Sequence, residues 1–124
     1  KKQEFIIMNF KEWLDKQLSQ NIPENVTAFN FNIYEQEIDS QYDVQLVGCI
    51  KYDTTNDDWA CKPQYSTGED LFQFNSDNWE NALRALINMV NDYLLQCNEL
   101  NRLRQAKYIT AGFVDGDLEV IISS

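Results

Sequence analysis

Residues 77 to 104 read DNWENALRALINMVNDYLLQCNELNRLR and carry the one long, unbroken periodic pattern in this chain of 124 residues. Asp77 is expected to cap the first turn of a helix, with Glu80 reaching back as in a capping box, and Arg102 and Arg104 stand where a helix C-terminus favours cations. The pattern predicts a core helix laid on a sheet. Its apolar residues recur at steps of three and four and form one stripe: Trp79, Ala82, Leu83, Leu86, Ile87, Val90, Tyr93, Leu94, Cys97 and Leu100.

Strands are predicted on both sides of this helix. After it, residues 108 to 114 and residues 117 to 122 are apolar and β-branched, and the dipeptide Asp115-Gly116 between them predicts a hairpin. We expect a type I′ turn there, with positive φ at both central residues. Before the helix, residues 71 to 74 predict a short strand.

The first half of the chain predicts one helix and two longer strands. Asn9 can cap a helix with Glu12 three residues later, although a start nearer Lys2 remains open. Residues 26 to 34 and residues 43 to 52 alternate with period two, which predicts two half-buried strands paired antiparallel. The apolar stripe of the helix comprises Phe10, Trp13, Leu14 and Leu18.

Length and element order together predict a single α+β domain over residues 1 to 124. A mass of 14.6 kDa suffices for one hydrophobic core and is small for two. The order is α-β-β-(β)-α-β-β. We therefore expect an antiparallel sheet of four or five strands with both helices packed on one face.

Cysteine usage and hydropathy bear on location. Cys49, Cys61 and Cys97 are an odd number without a close pair, which indicates reduced thiols and a cytoplasmic setting. No apolar run approaches the roughly 18 residues that a membrane helix needs, and no signal-peptide cleavage site follows the N-terminal apolar group. We expect no contact with a membrane.

The residues of common enzyme sites are missing from the sequence. The chain has no histidine, no glycine-rich phosphate loop and no GxSxG motif, and it lacks the CxxC spacing of a zinc site. The pairs Asp57 with Asp58 and Asp115 with Asp117 could hold a divalent cation or perform acid–base work, which keeps a metal-dependent enzyme as a third alternative. We predict no enzymatic activity, no cofactor and no metal.

The negative charge is concentrated in the middle of the chain. Of the formal net charge of −10, all is carried by residues 17 to 83, where twelve acidic side chains are offset only by Lys51 and Lys62. A field of this sign repels nucleic acid and anionic lipid and attracts a basic partner. Solubility alone is the competing explanation.

Residues 53 to 70 have neither period and predict a long loop, which in a compact domain is typically functional or disordered. This loop mixes carboxylates with aromatic side chains, a combination that suits a protein interface. Trp59 either anchors in a partner or turns inward to pin the loop. The candidate partner-binding residues are Asp53, Asp57, Asp58, Trp59, Tyr65, Glu69 and Asp70.

Three short segments resemble small acidic immunity proteins of bacterial polymorphic and contact-dependent growth inhibition toxin systems. They are Leu46-Val47-Gly48-Cys49, Asp57-Asp58-Trp59-Ala60-Cys61 and Gly112-Phe113-Val114-Asp115-Gly116-Asp117. The likeness runs from about residue 9 onward. It implies a cytoplasmic protein without activity of its own that neutralises one cognate toxin, often a nuclease, by binding it.

Two functions from different classes follow. The first is a toxin inhibitor whose acidic surface binds a toxin with a basic surface. The second is an adaptor domain outside toxin systems that binds a basic peptide along a sheet edge.

Overall fold

The computed structural model describes residues 8 to 38 and 40 to 123. The predicted α+β class is confirmed over those residues, with both helices and all strands contributing to one sheet-centred core. The elements are α1 (Phe10–Leu18), β1 (Ala28–Glu35), β2 (Gln41–Cys49), a 3₁₀ helix (Asp57–Cys61), β3 (Tyr65–Ser66), β4 (Phe72–Asn75), α2 (Trp79–Gln96), β5 (Tyr108–Phe113) and β6 (Glu119–Ser123).

The sheet has six strands across the described residues, in the order β3-β2-β1-β5-β6, with β4 also paired to β2. The pair β1 and β2 is antiparallel as predicted, with Phe31 opposite Leu46. The pair β1 and β5 is parallel, with Phe31 opposite Ala111, so the sheet is mixed rather than purely antiparallel. Parallel strands need a crossover connection, and α2 provides it between β4 and β5.

The main core lies between one face of the sheet and both helices, as predicted. Phe29, Phe31 and Ile33 alternate along β1 and are fully buried on this face. They share one cluster with Trp13 of α1 and Leu86 of α2. The period-two pattern of β1 and the helical stripes thus meet in a single apolar layer.

A second, smaller cluster lies on the opposite face of the sheet. It joins Ala28, Cys49 and Tyr108 from the strands with Trp59 from the 3₁₀ helix. Tyr52 also packs there and stacks on Tyr108 with ring centroids 4.8 Å apart. The 3₁₀ helix therefore covers one part of this face and leaves the rest uncovered by a helix.

The first turn of α2 differs from the prediction in its capping residue. Asn78 is the N-cap, and its side chain accepts a hydrogen bond of 2.8 Å from the backbone N–H of Asn81. Asp77 therefore lies one residue before the cap, and the predicted capping box with Glu80 is wrong. Asparagine and aspartate are equally good N-caps, so the pattern located the helix start to within one residue.

The helix α2 ends at Gln96, eight residues before the predicted end. Cys97 is already extended, and the Asn98 side chain accepts a hydrogen bond of 2.9 Å from the Leu100 N–H. Asparagine side chains that bind nearby backbone groups compete with the helix in this way. Leu100 leaves the buried stripe and is 80% exposed.

The two arginines beyond the helix have separate contacts. Arg104 reaches back to the carbonyl oxygens of Leu94 and Cys97 at 3.3 and 3.0 Å, which matches the expected cation at a helix C-terminus. Arg102 instead donates to carbonyl oxygens in the α1–β1 connection, including that of Val26 at 3.2 Å. It therefore joins the end of α2 to the start of the sheet.

The predicted start of α1 at Asn9 is confirmed. The Asn9 side chain accepts a hydrogen bond of 2.8 Å from the Glu12 N–H, and the Glu12 side chain accepts one of 3.1 Å from the Asn9 N–H. This is a complete capping box. The alternative start near Lys2 lies outside the described residues.

The predicted hairpin of β5 and β6 is confirmed, but its turn is not of type I′. Among the described residues, positive φ occurs only at Ser40 and Gly68, so neither Asp115 nor Gly116 adopts it. The connection, residues 114 to 118, is a longer loop whose first turn has a hydrogen bond of 2.9 Å from Gly116 N–H to Phe113 C=O. We call residues 114 to 118 the hairpin loop.

The hairpin loop folds back onto β5 at Gly112. A Cβ atom added at Gly112 would stand 2.6 Å from the carbonyl oxygen of Asp117, whereas one added at Gly116 would have no neighbour nearer than 3.7 Å. Only a residue without a side chain permits this close approach of two backbone segments.

We expect Gly112→Ala to destabilise the protein by about 1 to 3 kcal/mol, the usual cost of overpacking, because the loop must move away. Gly116→Ala is the matched control, since its backbone needs no positive φ, and should stay within about 1 kcal/mol of the wild type. Urea unfolding monitored by circular dichroism measures both. Equal midpoints for the two variants would contradict the close contact.

Candidate functional site

The predicted loop of residues 53 to 70 is ordered by its own polar side chains. Asn56 caps the 3₁₀ helix by accepting a hydrogen bond of 2.8 Å from the Asp58 N–H. Asp53 accepts from the N–H and the hydroxyl of Thr55 at 2.9 and 2.7 Å, and the backbone bond is the main reason that the pKa of Asp53 is lowered. Short polar residues commonly shape loops in this way.

Trp59 turns inward, which was one of the two orientations considered. It is 8% exposed, and its ring lies edge-on to Tyr108 at a centroid distance of 5.6 Å. Its carbonyl oxygen accepts a hydrogen bond of 3.4 Å from the Cys49 thiol, whose pKa burial raises to about 11. Trp59 holds the 3₁₀ helix on the sheet and presents no anchor to a partner.

Tyr65 and Asp70 lie on the helix-covered side of the sheet and contact α1. The Tyr65 hydroxyl donates to the Gln17 carbonyl oxygen at 3.0 Å. The Asp70 carboxylate accepts from the Gln17 amide at 2.8 Å and forms an ion pair of 2.9 Å with Lys16. The Gln17 bond is the largest cause of the lowered pKa of Asp70, followed among the favourable contacts by Lys16. Glu69 is exposed beside this group.

The seven residues predicted as one site therefore divide between two sides of the sheet. Asp57 and Asp58 stand with the 3₁₀ helix over the less covered face, while Tyr65 and Asp70 attach α1 to the core. The strand β3, which pairs with β2 at the edge of the sheet, follows Asp57 and Asp58 in the chain and precedes Asp70. Successive side chains of a strand point to opposite faces, so the chain passes from one side of the sheet to the other at this edge.

Asp57 and Asp58 line a cleft of about 520 Å³ on that less covered face, which we call the acidic cleft. Its floor includes Asn30 and Asn32 of β1 and Gln45 of β2. Its second wall is the hairpin loop, represented by Val114, Gly116 and Leu118. No Lys or Arg residue from the described ranges lines this cleft.

A chain of hydrogen bonds runs across the floor of the acidic cleft. The Thr110 hydroxyl donates to the Asn30 carbonyl oxygen at 2.8 Å, and the Asn30 amide donates to the Asn32 carbonyl oxygen at 2.7 Å. The Asn32 amide and the Tyr34 hydroxyl both donate to the Gln45 side chain, at 3.2 and 3.0 Å. Asn30 is 0% exposed and depends on these partners, whereas Asn32 and Gln45 are partly exposed to the cleft.

The two walls of the acidic cleft are joined by one hydrogen bond. The Asp57 carboxylate accepts from the Leu118 N–H at 3.0 Å. Burial raises the pKa of the Tyr108 hydroxyl, and the nearby negative charges of Asp57 and Asp53 raise it further. Asp57 therefore has a structural role in addition to its charge, while Asp58 projects its carboxylate without such a bond in the described chain.

A second depression, of about 430 Å³, adjoins the acidic cleft on the helix side of the hairpin loop. It shares Phe113 and Gly116 with the cleft. Four carboxylates line it and, within the described ranges, no Lys or Arg does. They are those of Glu35, Asp115, Asp117 and Glu119.

The sequence interpretation missed this contribution of the hairpin loop. Asp115 and Asp117 enter the predictions only as a pair that could hold a cation or perform acid–base work, and the turn by itself explains an aspartate at position 115. A usable signal was present, since three acidic residues fall within the five positions from Asp115 to Glu119. Their proximity to Asp57 and Asp58 carries no sequence signal, because 61 positions separate the residues joined by the Asp57–Leu118 bond.

The surface around the hairpin loop presents carboxylate, amide and backbone groups. In residues 8 to 38 and 40 to 123, no group of three or more Cys, Asp or Glu side chains is arranged to hold a metal ion. Exposed carboxylates accept hydrogen bonds from a partner, and amide and backbone groups both donate and accept them. Carboxylates gathered at one place also attract cationic side chains.

No helix in the described part of the chain has the length and apolar character to cross a membrane. Comparison with protein-family models, with curated proteins and with solved structures gave no match.

The contacts of Asp70 predict a pH-dependent contribution to stability. Its folded-state pKa is lowered, so the contribution is present above the unfolded-state pKa near about 3.9 and is lost as the pH falls through the folded value. Asp70→Asn should lower the free energy of unfolding at pH 7 by less than about 1 kcal/mol, because the Asp70 side chain is 42% exposed and solvent screens the Lys16 pair.

Urea unfolding at pH 7 and pH 3 tests this prediction, and the deficit of Asp70→Asn should be smaller at the lower pH, where the carboxyl begins to be protonated. Glu69→Gln is the matched control, with an exposed carboxylate and no ion pair among the described residues. An equal deficit at both pH values would show that the contacts of the ionised Asp70 carboxylate with Gln17 and Lys16 do not contribute.

Proposed function

We propose that this protein is an immunity protein that binds and neutralises a cognate bacterial toxin through the acidic surface around the hairpin loop. The observation that carries the proposal is that carboxylates from separate segments line two depressions on either side of the hairpin loop, and that no Lys or Arg of the described residues lines either depression. Asp58 comes from the 3₁₀ helix, Glu35 from the end of β1, and Asp115, Asp117 and Glu119 from the hairpin loop and the start of β6.

Exposed carboxylates on one side of a protein create a negative local potential. That potential attracts the Arg and Lys side chains of a partner. A toxin that acts on nucleic acid has a basic substrate site, so an acidic surface of this kind can occupy that site and exclude phosphate groups. The resemblance to immunity proteins favours a toxin over other basic partners.

The apolar and amide groups near the carboxylates supply the rest of an interface. Val114 is exposed and Leu118 is half-buried at the wall of the acidic cleft, and Asn32 and Gln45 present amides on its floor. Interfaces combine a packed apolar centre with a polar rim that steers association. The protein acts stoichiometrically, without a cofactor, in the cytoplasm of the toxin-producing cell.

The partner is tested first. An immunity gene lies directly after its toxin gene, so the product of the gene immediately upstream should co-purify with this protein when both are expressed. Expression of the upstream product alone should arrest growth, and co-expression should restore it. Absence of both a complex and growth protection would refute the immunity function.

The surface is tested by reversing charge. Asp58→Lys with Asp117→Lys should slow association with the upstream product by about tenfold at low salt, since exposed interface charges act mainly on the association rate. The wild-type rate should itself fall as salt is raised, because the Debye length shortens to about 8 Å at physiological ionic strength. Stopped-flow mixing at several salt concentrations measures both effects.

The matched control is Glu24→Lys with Asp92→Lys, which makes the same change in net charge at exposed positions outside the acidic surface. An equal loss of rate in this control would assign the effect to net charge alone. Asp57 is left unchanged in the test because it also fixes the hairpin loop through Leu118.

A further inference from the structure

A groove runs between α2 and β6, on the helix side of the sheet. It consists of two adjoining depressions of about 430 and 330 Å³ that share Trp79, Leu83 and Glu119. The first depression reaches the hairpin loop, and the second continues along α2 to Ile87. We call the two together the edge groove.

Trp79 is the exposed aromatic side chain of this groove. It is 54% exposed although it begins the apolar stripe of α2. Its ring lies edge-on to Phe113, with centroids 6.1 Å apart and planes at 84°, which leaves ring surface free. A fixed tryptophan with a free surface is the kind of residue on which interfaces concentrate binding energy.

Glu119, the first residue of β6, lines both depressions of the groove, and β6 is the last strand of the sheet on this side. In the described chain it pairs with β5 alone. Its sequence, EVIIS, contains no proline or lysine, two residue types that protect a sheet edge from pairing with another chain. A register shift interrupts its pairing with β5 between Val120 and Ile122. Within residues 8 to 38 and 40 to 123, no strand covers the outer edge of β6, which leaves Glu119 and Val120 on one side of the shift for a further strand.

The side chains of β6 define what such a strand would need. Glu119 lies opposite Ala111, so it faces the helices, and Val120 lies opposite Thr110 on the other face. Val120 is exposed, and Glu119 stands beside Trp79. A strand added beside β6 contacts the Glu119 carboxylate and the Trp79 indole on the face of the sheet that carries the helices. On the other face it contacts the side chain of Val120.

Charge decides between a second copy of this chain and a different partner. Glu35, Asp115, Asp117 and Glu119 surround the end of the groove at the hairpin loop, while Arg84 lines only the depression further along α2. Edge-to-edge pairing of two copies would bring two chains of net charge −10 together. A cationic segment removes that repulsion.

We propose that the edge groove binds an extended basic segment of a partner protein, in which arginine alternates with aliphatic residues and which pairs with β6. The arginines stack on Trp79 and reach Glu119, and the aliphatic side chains cover Val120. The inference rests on the proposed function only in that the partner is a basic protein, and it is tested without the toxin.

The probe is a capped six-residue peptide of alternating arginine and valine, added at millimolar concentration to the ¹⁵N-labelled protein. We expect the amide signals of β6 and the indole signal of Trp79 to shift together in a saturable way. Amide hydrogen exchange in β6 should slow, because edge N–H groups gain partners. Failure of these signals to shift would overturn the inference and leave the toxin experiment unaffected.

Two control peptides separate strand pairing from charge. A peptide of alternating arginine and proline keeps the charge but lacks half of the backbone N–H donors, so it should bind at least about fivefold more weakly. A peptide of alternating glutamate and valine should not bind. Equal binding of the proline peptide would overturn the strand pairing, and binding of the glutamate peptide would overturn the charge argument.

Two variants locate the contact. Trp79→Ala should weaken binding of the arginine–valine peptide by about two- to fivefold, the factor that an exposed cation–π contact contributes. Leu95→Ala is the matched control, because it removes another exposed apolar side chain of α2 that does not line the groove, and it should leave binding unchanged. Equal affinities for the two variants would overturn the role of Trp79.

Discussion

The central strand β1 is buried on both faces, and the rest of the structure depends on how its two faces are satisfied. On one face, Phe29, Phe31 and Ile33 pack under the helices. On the other, Asn30 is fully buried and must be hydrogen-bonded, which Thr110 and Asn32 accomplish. The same alternation that builds the apolar core therefore also builds a polar floor, and the acidic cleft stands on that floor.

The acidic surface shows how charge and stability are balanced in this fold. Two carboxylates stabilise the fold through specific contacts. Asp70 forms an ion pair with Lys16, and Asp57 accepts a hydrogen bond from the Leu118 N–H. Those we assign to binding, such as Asp58 and Asp117, are exposed beside other carboxylates. Exposed carboxylates without a contact to the fold leave their charge available to a basic partner.

Much of the fold was predictable because its signals are local. The capping box of α1, the alternation of β1 and the stripe of α2 each depend on residues within a few positions of one another. The end of α2 was predicted too late because the side chains of Asn98 and Asn101 bind nearby backbone groups and stop the helix before Leu100, the last residue of the predicted stripe. The type of the hairpin turn was predicted wrongly because the conformation of the loop depends on contacts with Gly112 and Asp57, which lie outside the loop.

The candidate site was less predictable than the fold. Proximity in sequence placed Asp57, Asp58, Glu69 and Asp70 in one loop, yet that loop passes from one side of the sheet to the other and its acidic residues do not share a surface. Trp59 is a residue type that is common in interfaces, but here it packs in the second cluster. Burial of its large apolar side chain against Tyr52 and Tyr108 stabilises the fold more than exposure would.

The sequence by itself determined the element types, the α+β class, the faces of β1 and the amount and sign of charge, because these follow from composition and short-range periodicity. Only the tertiary structure decided that β5 lies parallel to β1, that Trp59 points inward, and that the hairpin loop forms a wall of the cleft lined by Asp57 and Asp58. Those outcomes depend on contacts between residues tens of positions apart. These contacts are set by packing, by strand register and by single hydrogen bonds, such as that from the Leu118 N–H to Asp57. None of them produces a periodic pattern in the sequence.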